Sequence, residues 1–255
     1  MPRQPRLLLR RQLQVPLLHL HPPKNGAHPF QRSGRPATIV ALLRLLNTVD
    51  ATALRRLHPA VAVAVETLPW CDCETGVADI VRWRAAFPAA TGARVVRHLG
   101  PAVMAATLAS LTYLDVSECT MIVTEDFIRR LPPTLRALNV LGCRQLSDAV
   151  SFAHLPALET LKCSCTGIGN STIATLSPSL RVLHADYCHA RSGVDFRHLR
   201  ALRTLTFSSD SSSPRVNLCG SCLPPSLEDL VLSGVCFTPH GAPFAHLALR
   251  TLWLS

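Results

Sequence analysis

Apolar residues recur along the chain from residue 108 onwards with a spacing of 22–25 residues. The recurring leucines, here called anchors, are Leu114, Leu138, Leu161, Leu183, Leu205, Leu230 and Leu252. A second leucine lies three residues before each anchor, and a small or apolar residue lies two residues after it. Alternation with a period of two is typical of a strand with one buried face. Since a lone strand cannot bury that face, the pattern predicts strands that stack in parallel, one for each repeat.

The position five residues after each anchor is predicted to end the strand and turn inward. It holds Cys119, Cys143, Thr166, Cys188, Asp210 and Val235. A small side chain with a donor at this position can bond to neighbouring backbone carbonyls inside the stack. Cys143 is therefore predicted to be a repeat residue rather than a metal ligand or a nucleophile. On the far side of the stack, TEDFIRRL after Val123 predicts a short helix with Thr124 as its N-cap and Pro132 as its stop.

The motif L-x-x-L-x-L-x-x-(N/C) is that of the leucine-rich repeat. The predicted fold is thus an α/β solenoid, a leucine-rich repeat horseshoe with a parallel concave sheet. LNVLGCRQLSDAV (138–150) and LDVSECTMIVTEDF (114–127) resemble the cysteine-containing class of repeats, which is common in F-box proteins of ubiquitin ligases. The stretch from about residue 65, including DIVRWRAAFPAATGARVVRHLG (79–100), is similar to leucine-rich repeat proteins of kinetoplastid (trypanosomatid) parasites. Most of those proteins have no assigned activity, so this resemblance implies a fold more than a function.

The chain is expected to have three segments: a disordered basic arm over 1–35, a lead-in region over 36–107, and seven repeats over 108–255, the last incomplete. Apolar residues at helical spacing in the lead-in region are Ile39, Leu42, Leu43, Leu46, Leu54 and Leu57. They predict two helices, VALLRLLN and ATALRRLHP, joined by NTVD. These helices could form an N-terminal cap over the first strand of the stack. They also resemble a divergent F-box, which would dock on a cullin-ligase adaptor, and the sequence leaves both interpretations open.

Positive charge is concentrated in the arm. The net charge is +10, and residues 1–49 contain eight Arg and Lys with no Asp or Glu. Prolines interrupt any long helix there, so we expect a solvated tail, with a mitochondrial transit peptide as the alternative. Arg10 and Arg11 interrupt the apolar stretch of a secretory signal, and no apolar run reaches the ~18 residues of a membrane span. Cysteines at repeat positions favour a reducing compartment, so we expect a cytoplasmic location, with nuclear or mitochondrial as alternatives.

Three cysteine pairs have spacings that zinc sites use: Cys71–Cys73, Cys163–Cys165 and Cys219–Cys222. A zinc site needs four converging ligands, and the third pair has His240 and His246 one repeat further along. A zinc site formed by Cys219, Cys222, His240 and His246 is therefore the alternative, and free thiols without a metal are the expected state. The sequence has no phosphate-cradling glycine loop, no paired-carboxylate motif and no nucleophile beside an ordered base. We therefore expect no cofactor, no metal and no enzymatic activity.

The residues that alternate with the buried ones form the concave face of the predicted sheet. Its first row is Asp115, Asn139, Lys162, His184, Thr206, Val231 and Trp253. Its second row is Ser117, Leu141, Ser164, Asp186, Ser208, Ser233 and Ser255. This face carries too little positive charge for a nucleic-acid groove, so a protein segment is the expected ligand. The predicted contact residues are Asp115, Asn139, Lys162, His184, Asp186, Tyr187 and Trp253, with Tyr187 and Trp253 as the aromatic contacts.

The favoured function is a non-enzymatic scaffold that binds a protein partner of unknown identity on the concave face. One alternative is a substrate receptor of a cullin ubiquitin ligase that uses residues 36–61 as a divergent F-box. Another is nucleic-acid or acidic-tail binding by the arm alone, which would weaken steeply with salt. LRTLWLS (249–255) ends on the seventh strand with no convex segment after it. We expect either a longer solenoid or a partner, or second copy, that covers this edge.

Overall fold

The computed structural model describes residues 47–97, 105–209, 216–237 and 244–255, all within one compact unit over 36–255. Four predictions concern residues outside the described ones: the arm over 1–35, nearly all of the helix VALLRLLN, the turn residue Asp210, and His240 as a zinc ligand.

Among the described residues, nine parallel strands form one sheet whose order follows the chain, β1-β2-β3-β4-β5-β6-β7-β9-β11. These strands are β1 Trp70–Val77, β2 Ala90–Val95, β3 Tyr113–Asp115, β4 Ala137–Asn139, β5 Thr160–Lys162, β6 Val182–Cys188, β7 Thr204–Ser209, β9 Asp229–Ser233 and β11 Thr251–Leu254. Two further strands, β8 Val216–Leu218 and β10 Val235–Phe237, pair in parallel as a separate small sheet. One strand in each repeat, all parallel and in chain order, is the predicted solenoid.

Two short helices precede the first strand, and others lie between the strands. They are α1 Thr48–Leu57, α2 Pro59–Thr67, α3 Ile80–Ala86, α4 Ala105–Leu108, α5 Glu125–Arg129 and α6 Asn170–Ile173, and a 3₁₀ turn covers Gly220–Cys222. The helix predicted in TEDFIRRL is confirmed as α5, where the Thr124 hydroxyl accepts the Phe127 N–H. The helix start predicted at NTVD is found at its first residue, because Asn47 is the extended N-cap of α1 and accepts the Asp50 N–H. Thr48–Asp50, predicted as part of the break, form the first helical turn instead.

The strand register confirms the anchors. Each anchor from Leu114 to Leu230 lies opposite the anchor of the next repeat. The six anchors from Leu114 to Leu230 are at most 1% exposed, whereas Leu252 is 45% exposed. Leucines three residues before the anchors, from Leu111 to Leu227, are also fully buried. The core is therefore a continuous column of leucine layers, as expected when repeats bury each other's apolar faces.

At the turn position five residues after the anchors, the cysteines and Thr166 bond to backbone carbonyls inside the stack, as predicted, whereas Val235 has no side-chain donor. Cys119 donates to the Val95 carbonyl at 3.5 Å, Cys143 to Val116 at 3.6 Å and Cys188 to Cys163 at 3.2 Å. Each carbonyl belongs to the preceding repeat, so the thiols link neighbouring turns. Burial raises the pKa of Cys143 to about 12, with smaller contributions from the charges of Cys119 and Asp115. Cys143 is thus a protonated structural thiol at neutral pH rather than a nucleophile.

The sheet begins earlier than the predicted start of the repeats at residue 108. Ala93 of β2 lies opposite the anchor Leu114, and Val77 of β1 lies opposite Val95. The anchor position in β2 is therefore an alanine, which a search for periodic leucines passes over. Strand β1 departs from regular pairing between Cys71 and Gly76. There the buried Asp72 accepts the N–H groups of Glu74 and Thr75 at 2.9 and 3.0 Å, which holds a turn within the strand.

Helix α1 lies against this first strand. The Thr48 N–H donates to Asp72 at 2.6 Å, and the Trp83 indole N–H donates to the Thr48 hydroxyl at 3.1 Å. Arg55 donates to the Ala86 carbonyl at 3.0 Å and lies 5.2 Å over the Phe87 ring. Burial opposes ionisation of Asp72, but hydrogen bonds from Thr48, Thr75 and Glu74 together hold its pKa below the usual value. A buried carboxylate paired in this way ties α1 to the sheet.

Candidate binding face

The register brings the predicted first row into a line across the sheet. Arg94 of β2 lies opposite Asp115, and each row member lies opposite the next as far as Trp253 on β11. Lys162 and Trp253 are exposed, while Asn139 and His184 are half-buried. Arg94, which the sequence-based prediction passed over, extends this row and forms an ion pair with Glu118.

Asp115 is buried, contrary to what its place in the row suggested. Its carboxylate accepts the Ser117 N–H at 2.9 Å, the Ser117 hydroxyl at 2.7 Å and the Asn139 amide at 3.0 Å. Asn139 in turn accepts the Leu141 N–H at 3.1 Å. An aspartate that follows a strand readily bonds to the backbone two residues on, and here this closes the turn. Asp115 and Asn139 therefore satisfy each other, which leaves them less hydrogen-bonding capacity for a ligand.

A hydrogen-bonded chain crosses the middle of the face from His184 to Asp186. The Thr206 hydroxyl donates to Asp186 Oδ2 at 2.8 Å and lies 3.0 Å from His184 Nδ1. Because the only hydroxyl proton of Thr206 goes to Asp186, His184 Nδ1 must carry a proton and donate. The neutral imidazole then has Nε2 as an acceptor. Burial lowers the pKa of His184, and the charge of Lys162 lowers it further while that of Asp186 opposes.

The turn position four residues after the anchor has a left-handed backbone in four repeats. Glycine occupies it at Gly142 and Gly234, with φ of 73° and 64°, but Cys165 and Tyr187 adopt 58° and 54°. Such a backbone is strained for a residue with a Cβ and is common for glycine. The Tyr187 N–H donates to the Ser208 hydroxyl at 2.9 Å, and its side chain is 55% exposed. In two repeats, therefore, an exposed side chain, Cys165 or Tyr187, occupies a backbone position at which glycine would not be strained.

Both strained residues lie in a depression at the strand ends, which the sequence-based prediction missed. We call it the strand-end groove and define it by Arg144, Cys165, Gly167, Tyr187, His189 and Arg191. It consists of two adjoining hollows of about 420 and 470 Å³, which share Arg144, Gly167 and His189. Its residues come from the turns of three successive repeats, so no local motif marks them. A shallower hollow of about 290 Å³ lies on the concave face between Asn139 and Asp186.

The electrostatics of the strand-end groove are dominated by exposed basic side chains. Arg144, His189 and Arg191 are all exposed. The acidic residue in its wall, Asp148, accepts the N–H groups of Gly169 and Thr172 at 2.9 Å each and that of Ser171 at 3.3 Å. Although burial opposes ionisation, these bonds lower the pKa of Asp148. Its negative charge is thus spread over backbone donors at the start of α6, and the groove presents net positive charge.

Trp253 and Tyr187 lie far apart on the face. Trp253 is 65% exposed on β11, and Tyr187 is on β6. Strands β6 and β11 are three spacings apart in the sheet order, which corresponds to about 14 Å. The flanking Leu252 and Leu254, whose counterparts in earlier repeats are buried, are 45% and 49% exposed. A ligand that touches both aromatic residues must therefore be an extended segment.

Among the described residues, no cluster of three or more His, Cys, Asp and Glu side chains is placed to hold a metal ion. His246, a ligand in the zinc alternative, has its Nε2 3.2 Å from the Leu223 carbonyl. None of the described helices is both long enough and apolar enough to cross a membrane.

No protein-family model and no curated protein matches the chain. Among solved structures, the fold is similar to that of TLR13 in the crystal structure of its complex with ssRNA13, with a TM-score of 0.53 and 19% sequence identity. The match covers 76% of this chain and 30% of that chain. The chain has the leucine-rich repeat fold. This follows from the parallel sheet, the buried anchors and the hydrogen bonds between neighbouring turns, together with this similarity. It shows the fold alone, and the resemblances to kinetoplastid and F-box proteins stay predictions.

Proposed function

We propose that this chain is a non-enzymatic protein-binding module whose ligand lies across the concave face and reaches into the strand-end groove. The observation that carries the proposal is the pair Cys165 and Tyr187, two exposed residues at positive φ in neighbouring repeats of one groove. A strained backbone persists where the surrounding structure enforces it, and such sites cluster at ligand contacts. Glycine at the same turn in Gly142 and Gly234 indicates that the repeat itself does not require the strain.

The chemistry of the groove favours an acidic segment with an apolar residue. Arg144, His189 and Arg191 would face carboxylates, and the exposed ring of Tyr187 offers a flat apolar contact. Lys162 and the Nε2 acceptor of His184 would add polar contacts on the concave face. TLR13 was crystallised with ssRNA13, but a nucleic-acid ligand is disfavoured for this face because Asp186 and Glu118 lie along it.

Selection from a random linear-peptide library on the immobilised full chain tests this proposal. We expect the enriched peptides to be acidic, to contain an aromatic or aliphatic residue, and to bind at least tenfold more weakly to Tyr187→Gly combined with Arg191→Glu. The matched control is Met121→Ala, which changes an exposed apolar residue outside the concave face. Peptides that bind the double variant as tightly as the control would contradict the proposal.

We propose, further, that α1 and α2 are an N-terminal cap of the solenoid. The support is the contact of Thr48 with Asp72, the contact of Arg55 with Ala86, and the burial of Ala51, Ala64 and Val65. A divergent F-box would need an apolar face of these helices free for an adaptor. Leu57 and Val63 are exposed on them, so deletion experiments must separate the two roles.

A further inference from the structure

We propose that Cys71 and Cys73 form a reversible dithiol–disulfide pair at the β1 end of the concave face, which exchanges with small-molecule disulfides of the glutathione type. The two sulfur atoms lie 3.3 Å apart, both residues are exposed, and neither is in a disulfide. This inference does not depend on the proposed function.

The turn in β1 brings the two thiols together. Their strand is irregular between Cys71 and Gly76, and the intervening Asp72 points inward, bonded to Thr48, Glu74 and Thr75. With Asp72 fixed on the buried side, the residues before and after it both face outward. Residues two apart on a strand are separated by about 6.6 Å, within the Cα–Cα range of about 4.4–6.8 Å that disulfides span.

Gly92 makes room for the sulfur of Cys71. It lies opposite Cys71 in the register, and a Cβ at this position would be 2.2 Å from Cys71 Sγ. Gly92 lies opposite Tyr113 of β3, which is one residue before the anchor Leu114. Residues next to an anchor face away from the core, so Gly92 and Cys71 lie on the concave side, like the first row. Any larger residue at position 92 would displace the Cys71 thiol. The juxtaposition of the two sulfurs therefore depends on both β1 and β2 and not on the C-x-C spacing alone.

The same spacing elsewhere in the chain does not produce a pair. Cys163 is buried and its thiol donates to the His184 carbonyl at 3.4 Å, whereas Cys165 is exposed in the left-handed turn. The first thiol is therefore buried in the core, whereas the second is exposed to solvent. This second C-x-C is a matched control within one molecule.

The chemistry of the first pair assigns different roles to its two sulfurs. Either sulfur can be the donor in the hydrogen bond between the two thiols. When Cys73 donates, the bond lowers the pKa of Cys71, although burial and the charge of Asp72 oppose this. The same hydrogen bond, with burial and nearby negative charges, raises the pKa of Cys73. In that arrangement we assign Cys71 as the attacking thiolate and Cys73 as the resolving thiol.

The exchange has two balanced steps. The Cys71 thiolate attacks one sulfur of a disulfide RSSR, forms a mixed disulfide and releases one thiolate RS⁻. Cys73 then gives its proton to that thiolate and attacks the Cys71 sulfur, expelling the second RS⁻, which takes a proton from water. Two protein thiols are oxidised and one RSSR is reduced to two RSH. A disulfide in so short and exposed a ring is expected to be readily reduced, hence reversible.

Equilibration of the reduced full chain in mixtures of glutathione and glutathione disulfide at neutral pH tests the proposal. Remaining thiols are blocked with N-ethylmaleimide and the chain is cleaved with trypsin, which places the first pair in peptide 57–82 and the second in peptide 163–181. We expect an internal disulfide in peptide 57–82, seen as the absence of both maleimide labels and a mass lower by two hydrogen atoms. In the same mixtures, peptide 163–181 should form no internal disulfide. Two maleimide labels or two glutathione adducts on peptide 57–82 at every mixture would overturn it.

Three substitutions sharpen the assignment. In Cys73→Ser, a glutathione adduct should accumulate on Cys71, because no second thiol resolves it, while Cys71→Ser should react much more slowly at Cys73. Equal rates in these two variants would contradict the assigned roles. Gly92→Ala should suppress the internal disulfide while thermal melting followed by circular dichroism shows the fold intact. Unchanged disulfide formation in folded Gly92→Ala would show that β2 does not position the pair.

Discussion

The buried face and the concave face of the sheet differ in how strictly the residue type repeats from strand to strand. On the buried face the anchor is leucine in all seven predicted repeats, and six of those leucines are at most 1% exposed. On the concave face the first row changes at every repeat, from Asp115 through Lys162 to Trp253. A layer that must fit the layers above and below it has few solutions, whereas a side chain that faces solvent or a ligand is not constrained by the repeat. Periodicity therefore identifies the positions that pack, and the positions that depart from it are not fixed by packing.

Removal of the cap should have the largest effect, because it opens one end of the buried face. Deletion of residues 36–61 removes the contacts of Thr48 and Arg55, and we expect the repeats to become insoluble. Soluble yield and sedimentation of the deleted chain measure this, with deletion of residues 1–35 as the control. Folded, soluble repeats that have lost only adaptor binding would instead support the F-box interpretation.

Adjacent residues of β6 test the two faces directly. Leu183→Ala should lower the free energy of unfolding by about 2–5 kcal/mol, because it leaves a cavity in a fully buried layer. His184→Ala, on the concave face, should cost about 1 kcal/mol or less, the usual worth of one hydrogen bond. Urea unfolding of both variants gives the comparison. Similar losses for the two would show that the concave row is as structural as the core.

Substitutions in the left-handed turn should change stability with opposite signs in two repeats that are separated by one repeat. Gly142→Ala is expected to destabilise the fold by about 1 kcal/mol through backbone strain, since its added Cβ would make only ordinary contact with Thr120 at 3.6 Å. Tyr187→Gly should be neutral or stabilising by up to about 1 kcal/mol, because it releases the same strain. Thermal melting of Gly142→Ala and of Tyr187→Gly, each against the unchanged chain, measures the two changes in stability. A marked loss of stability in Tyr187→Gly would mean that its side chain serves the fold.

The smallest expected effect is a pH dependence from His184. Its pKa is lowered in the folded chain, so the unfolded chain binds more protons as the pH falls. The stabilising contribution is complete above the unfolded value of about 6.5 and is lost as the pH falls through the lower folded value. Urea unfolding at pH 7.5 and pH 5.0 should therefore show a smaller difference in His184→Gln than in the unchanged chain. An identical difference in both would show that His184 does not contribute.

Periodicity predicted the parts of this molecule that repeat. The seven anchors and the inward thiols follow from recurring leucines and cysteines, because each layer packs against similar layers above and below it. Helix α5 follows from one capped segment. Periodicity did not predict β1 and β2. In β2 the anchor position is Ala93 rather than leucine, and in β1 the hydrogen bonds of Asp72 form a turn that interrupts the regular alternation. Periodicity did not predict the strand-end groove either. Arg144, Tyr187 and Arg191 meet through the stacking of repeats, and the only local hint of the strained turn was glycine at 142 and 234.

The central claim is that binding lies on the side of the sheet that does not determine stability. A scan of single substitutions over residues 108–209, displayed on cells and sorted both for protease resistance and for binding of a library-selected peptide, tests it most directly. We predict that loss of protease resistance follows the buried positions, which alternate within each strand, while loss of binding alone clusters at Lys162, His184, Tyr187, His189 and Arg191. Binding-only losses spread evenly over the exposed positions, or confined to the convex side, would contradict the account.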